Sequence, residues 1–151
     1  MKAFKVLGTN HTSFTVSDLG RTTAFFRDCL GFEVTNQAPR SKELIETMTG
    51  IDGAGVIIGY VRGPGHSIEL IEYTGPDDRG HATGRPCDNG FSHVAYDVDD
   101  IDAAIEAAAE YGFEPLGGIA TVDKGPNTGG RAAYLRDGDG VNIEFIQPPP
   151  A

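Results

Sequence analysis

Two histidines and two glutamates form the one set of residues in this chain whose types and spacing suggest chemistry. His11 and His93 stand 82 positions apart, and Glu69 and Glu144 stand 75 apart. Each histidine begins a similar run, Asn10-His-Thr-Ser-Phe-Thr-Val-Ser-Asp-Leu19 and Phe91-Ser-His-Val-Ala-Tyr-Asp-Val-Asp-Asp100. Each glutamate sits in an apolar triplet, Ile68-Glu-Leu70 or Ile143-Glu-Phe145. A histidine on a strand is more often hydrogen-bonded or exposed than a ligand, and a glutamate amid Ile and Leu more often faces solvent. Here two of the four histidines, and two glutamates, fall at matching positions of a repeat. A carboxylate on a concave face is costly without a partner, and a metal ion supplies one. Two imidazoles and two carboxylates suit a divalent Zn, Ni, Co, Fe or Mn ion, and a six-coordinate ion keeps two positions open. With no thiolate in the set, a structural zinc site is a poor fit.

The elements that must position these four groups come in two similar series. In residues 10–16, Thr12, Phe14 and Val16 share one face of a strand, and His11, Ser13 and Thr15 share the other. Ser17 or Asp18 offers an N-cap; Leu19, Thr22, Phe25, Phe26, Cys29 and Leu30 follow at helical spacing, and Gly31 is a natural stop. Strands are expected at Phe32–Asn36, Val56–Val61 and Ser67–Tyr73, with a short helix at Lys42–Thr49 ended by Gly50. On the last strand Glu69, Ile71 and Tyr73 share a face and Glu72 lies on the opposite one.

The second half repeats the order. Val94, Tyr96 and Val98 alternate with His93, Ala95 and Asp97. Asp99 is the expected cap of a helix carrying Ile101, Ala104, Ile105 and Ala108, stopped at Gly112. Strands at Phe113–Leu116, Arg131–Arg136 and Val141–Gln147 complete it. The expectation is one domain over 1–151, with a first βαβββ module at 8–74, a linker at 75–90 rich in Gly, Pro, Asp and Arg, and a second module at 91–147. If the first and last strands of each module are neighbours, each His and Glu share a concave side, and two modules bring four ligands together.

Composition narrows the function classes. The net charge of −10 argues against binding nucleic acid, and an anionic substrate would need a local Arg or Lys, or a metal. No apolar run reaches the ~20 residues of a membrane span. The N-terminal Met1-Lys-Ala-Phe-Lys-Val is too short and too weakly apolar for a signal peptide, so a cytoplasmic location is expected. Cys29 and Cys87 suit a reducing compartment, with Cys29 expected as a buried structural thiol. His66 at a Gly-Pro-Gly turn and His81 in the linker read as solvated, although His81 could reach a cleft. The glycine runs read as turns rather than a dinucleotide loop. Arg40, Arg62, Lys124 and Arg131 are candidates to hold an anionic tail.

These stretches resemble the vicinal oxygen chelate superfamily, which includes glyoxalase I, methylmalonyl-CoA epimerase, extradiol dioxygenases and fosfomycin or bleomycin resistance proteins. The likeness is carried by His11-Thr-Ser-Phe-Thr-Val-Ser-Asp-Leu, Phe25-Phe-Arg-Asp-Cys-Leu-Gly-Phe-Glu, Ile68-Glu-Leu, Ser92-His-Val-Ala-Tyr-Asp-Val-Asp-Asp-Ile-Asp and Asn142-Ile-Glu-Phe. It implies an α+β glyoxalase-like fold, two βαβββ modules forming an eight-stranded mixed sheet that encloses a cleft. It further implies a homodimer, a small-molecule substrate and a metal site of His11, Glu69, His93 and Glu144. The implied reaction is lyase or isomerase chemistry through a metal-stabilised enediolate, with Glu144 or Glu69 moving the proton. The alternatives are an extradiol-type dioxygenase, an epimerase like that of methylmalonyl-CoA, and a resistance protein that binds a drug without chemistry. The strand Gly55-Val-Ile-Ile-Gly-Tyr lacks the second acid of that epimerase, and a fourth protein ligand disfavours oxygen chemistry. Four costly polar groups would serve a pure binder little.

Overall fold

The computed structural model describes residues 3–150; Met1, Lys2 and Ala151, at the ends of the expected domain, lie outside the described residues. The chain runs β1 (Thr12–Val16), α1 (Leu19–Ala24), a π-helical turn (Phe25–Cys29), β2 (Glu33–Pro39), α2 (Lys42–Thr49), β3 (Gly55–Gly63) and β4 (His66–Gly75). The second series is β5 (Val94–Asp97), α3 (Ile101–Ala109), β6 (Glu114–Pro115), β7 (Ala120–Thr121), β8 (Arg131–Arg136) and β9 (Asn142–Gln147). One sheet has the order β1-β4-β3-β2 and the other β5-β9-β8-β6, with β7 also on β8. In each, the first strand lies parallel to the last, as the placement of His and Glu requires. The α+β class and the doubled order stand as read. Among the described residues the strands number nine rather than eight, because Gly117-Gly118 lies between β6 and β7, which both pair with β8.

The helices start where short acceptors meet free backbone N–H groups. Asp18 accepts from Arg21 N at 2.8 Å, and Ser41 accepts from Leu44 N at 3.2 Å. In the second series the cap is Asp100, not the expected Asp99: its Oδ1 accepts from Ala103 N at 3.1 Å. The aspartate two residues before Ile101 is one position too early to reach that N–H. Gly31 (φ 70°) and Gly112 (φ 83°) occupy the left-handed region after their helices, which a side chain would resist. The wider π-helical turn leaves both Phe25 and Phe26 fully buried.

One core joins the two series. Phe25 stacks on Phe113 with centroids 4.1 Å apart, and Phe32 meets Tyr96 edge-on at 5.4 Å. Ile68 and Leu70 of β4 enter this core from one side, and Ile143 and Phe145 of β9 enter from the other. Burial of each large apolar side chain contributes about 1.5–3 kcal/mol. A second, smaller cluster lies on the other face of the first sheet, where Ile45 of α2 packs on Ala54, Val56 and Ile58. Polar contacts also cross between the series: Arg21 of α1 reaches Asp137 Oδ2 at 3.2 Å and Asp139 Oδ2 at 2.9 Å.

Strand alternation then fixes the glutamates. Since Ile68 and Leu70 point into the shared core, Glu69 between them points to the opposite face; Glu144, between Ile143 and Phe145, does the same. No helix of the described residues is long and apolar enough to cross a membrane.

Candidate functional site

Each histidine stands one residue before the first strand of its sheet, where the parallel neighbour carries the glutamate. In the first sheet Ser13 is in register with Glu69, and His11 Nε2 comes 3.2 Å from Glu69 Oε2. In the second, Ala95 is in register with Glu144, and His93 Nε2 comes 3.1 Å from Glu144 Oε2. Both imidazoles are about a third exposed, while the carboxylates are more sheltered.

The structure thus makes two pairs. It does not gather all four groups within one chain: among the described residues, no three His, Cys, Asp or Glu side chains are placed to hold an ion together. The expectation that both modules of one chain aim at a common point is corrected by the core. That core covers the sheet faces opposite the two pairs, so the pairs look away from it on separate sheets.

The geometry of each pair suits adjacent ligands of one ion. Two atoms bound at right angles, each about 2.1 Å from an ion, stand about 3 Å apart. The His11 pair has a further feature. Its Nδ1 lies 2.6 Å from Asn10 Oδ1, a contact that orients the ring with Nε2 toward the Glu69 carboxylate. The donor set and its spacing therefore fit a divalent cation.

Two tyrosines belong to these sites and were missed from the sequence. Tyr60 on β3 donates its hydroxyl to Glu69 Oε1, and its ring lies edge-on to His11. Hydrogen bonding to Glu69, then burial, holds the Tyr60 phenol above its ordinary range. Tyr134 on β8 is in register with Glu144, and its ring meets that of His93 edge-on at 4.8 Å. A signal was present: the tyrosines are 74 positions apart, close to the 75 separating the glutamates.

Of the remaining candidates, Arg40 stands near Tyr60, and the others fall outside the two pairs. His66 is not merely solvated; its Nε2 pairs with Thr12 Oγ1 at 2.8 Å. His81 sits 3.6 Å from Asp139 and joins neither pair. Arg131 is paired with Asp102, and Arg40 donates to the carbonyls of Ala38 and Pro39. Arg62 and Lys124 are exposed. Cys29 is half-buried against the core, and burial pushes its thiol pKa up, as suits a structural thiol; Cys87 is exposed.

Residues 8–145 match the model of the Glyoxalase/Bleomycin resistance protein/Dioxygenase superfamily. The chain is 33% identical to a lactoylglutathione lyase of Haemophilus influenzae over 91% of its own length and 90% of the relative's. It is 32% identical to a 2-epi-5-epi-valiolone epimerase of an Actinomyces species, covering 93% of this chain and 79% of that one. Among solved structures, a glyoxalase family protein from Bacillus cereus superposes with a TM-score of 0.81 at 27% identity, covering 99% of each chain.

Proposed function

This chain belongs to the Glyoxalase/Bleomycin resistance protein/Dioxygenase superfamily, and from that premise we propose that it is a metal-dependent lyase or isomerase acting on a small substrate with vicinal oxygens. The observation that carries the reading is the repeated His–Glu pair, spaced as adjacent ligands at 3.2 and 3.1 Å. In this reading His11 and Glu69 of one copy and His93 and Glu144 of a second copy hold one divalent ion (Zn, Ni, Co, Fe or Mn) in a homodimer. The pairs lie on the sheet faces turned away from the shared core, and both imidazoles are about a third exposed. The two named relatives, a lyase and an epimerase, support the lyase or isomerase class.

The ion, when bound, supplies Lewis acidity that lowers the cost of negative charge on the substrate's paired oxygens. The chain's own residues do the rest. Asn10 orients the His11 ring through Nδ1, and Tyr60 fixes one oxygen of Glu69. Glu144 has only His93 on one of its oxygens, so the other is free to take a proton from the carbon beside a carbonyl. A proton delivered to the opposite face of the same carbon gives epimerisation, whereas return of the proton from Glu144 to the neighbouring carbon gives a glyoxalase-type product.

The test is metal-dependent exchange of a substrate α-proton with deuterated solvent, read by NMR across a panel of α-hydroxy and α-oxo carbonyl compounds. Exchange should stop on chelation and return with a divalent ion. It should fall about 100-fold or more in Glu144→Gln, the scale of lost general-base catalysis. Exchange indifferent to both would refute the reading.

A further inference from the structure

The two glutamate faces are unlike in what covers them. On the first sheet α2 lays Ile45 across Val56 and Ile58 beside Tyr60, so protein covers part of the face that carries Glu69. On the second sheet no helix takes that place among the described residues, and a cavity of about 410 Å³ opens beside Glu144. Gly117 and Gly118, between β6 and β7, and Ala120 and Ala132, paired across β7 and β8, give it its width. Tyr134 and Glu144 are its only polar side chains among the described lining residues, and none of those is Lys, Arg or His.

The two arginines of β8 are already engaged. Arg131 is bound to Asp102, and Arg136 donates to Asn142 Oδ1 at 2.7 Å and to the Gly84 carbonyl. An anionic tail placed in this cavity would meet no Lys, Arg or His among the described lining residues, and a polyhydroxylated body would lose water with few partners in exchange. An uncharged apolar body loses nothing there and gains its burial.

Resting on the functional reading above, we propose that the cavity beside Glu144 is the subsite for the substrate's body, and that the substrate class is an uncharged, apolar alkyl or aryl compound with its two oxygens at one end. The oxygens lie at the His–Glu pairs and the body lies over Ala132, against Gly117 and Gly118. Peptide-conjugated and polyol substrates fit this subsite poorly.

Hydroxamic acids test this, because the same two-oxygen head can carry different bodies. Calorimetric titration of the metal-loaded protein should give benzohydroxamate at least about tenfold tighter than acetohydroxamate, the scale of a filled apolar pocket. It should also be tighter than 4-carboxybenzohydroxamate by a similar factor. Ala132→Leu, which fills the cavity, should bring the ratio of benzo- to acetohydroxamate affinity toward one. Ala120→Leu, at an exposed position on the rim, should do the same if the first variant fails to fold. Equal affinities, or preference for the charged body, would overturn the substrate class while leaving the metal site intact. Failure to bind any hydroxamate or any divalent metal would overturn the functional reading and the substrate class with it.

Discussion

The Tyr60 hydroxyl donates to Glu69 Oε1, whereas its counterpart Tyr134 turns its ring to His93, and Glu144 has no hydroxyl partner among the described residues. The repeat thus delivers two chemically different glutamates from nearly the same local sequence. One is held on both oxygens, by His11 and by Tyr60; the other is held on one, by His93. A ligand fixed on both sides suits holding an ion, and one with a free oxygen suits moving a proton.

Tyr60→Phe should therefore weaken metal binding about tenfold, the lower end of the effect of losing a partner that orients a ligand. Competition against a chelating dye measures it. Tyr134→Phe removes no bond to Glu144 and should weaken binding less. Equal losses in the two variants would contradict the asymmetry.

Arg21 is a polar link between the two series, and its partner Asp137 has a side chain with no exposed surface. Removing Arg21 leaves that carboxylate without its cation. Arg21→Ala should cost about 2 kcal/mol near neutral pH, less than a fully buried pair because the guanidinium is a third exposed. The pH dependence has a definite sign. Burial pushes the Asp137 carboxyl above its usual value, so the folded state holds that proton more tightly than the unfolded chain does. The Asp137 contribution to stability is then greatest in acid and falls as pH rises from about 4, the usual carboxylate value, through the raised folded value. Arg21 offsets part of this fall. Urea unfolding of wild type and variant should differ little near pH 4 and most near pH 7. A difference that stays constant with pH would contradict the assignment.

Much of the architecture was legible because the chain states it twice. The His offset of 82 and the Gly31 to Gly112 offset of 81 exposed the doubled unit, and the helix expected at Lys42–Thr49 before Gly50 has those bounds. What escaped was whatever depended on contacts across strands. Glu72 read only as a residue opposite Glu69; its Oε2 accepts from Leu19 N at 2.7 Å and anchors the start of α1. Gln147 does the same for Ile101 N at 3.0 Å in the second series. Tyr60 entered the reading only as part of a strand without an acid, since its register against Glu69 is not a local property. Strand alternation placed Glu69 and Glu144 on one face each, but which face meets the core shows only in the packing, where Ile68, Leu70, Ile143 and Phe145 join one cluster. That packing is why the four groups form two pairs in one chain.

The central claim is that the two pairs meet across copies of the chain, and one measurement tests it most directly. One chain carries His11→Ala with Glu69→Ala, the other carries His93→Ala with Glu144→Ala, and the two bear different affinity tags. In a two-fold dimer of the mixed pair, one site keeps all four ligands and the other keeps none. Dimers purified through both tags should hold about half the wild-type content of divalent metal, while each double variant alone holds essentially none. Mixed dimers without metal, or the failure of the two chains to associate, would contradict the account.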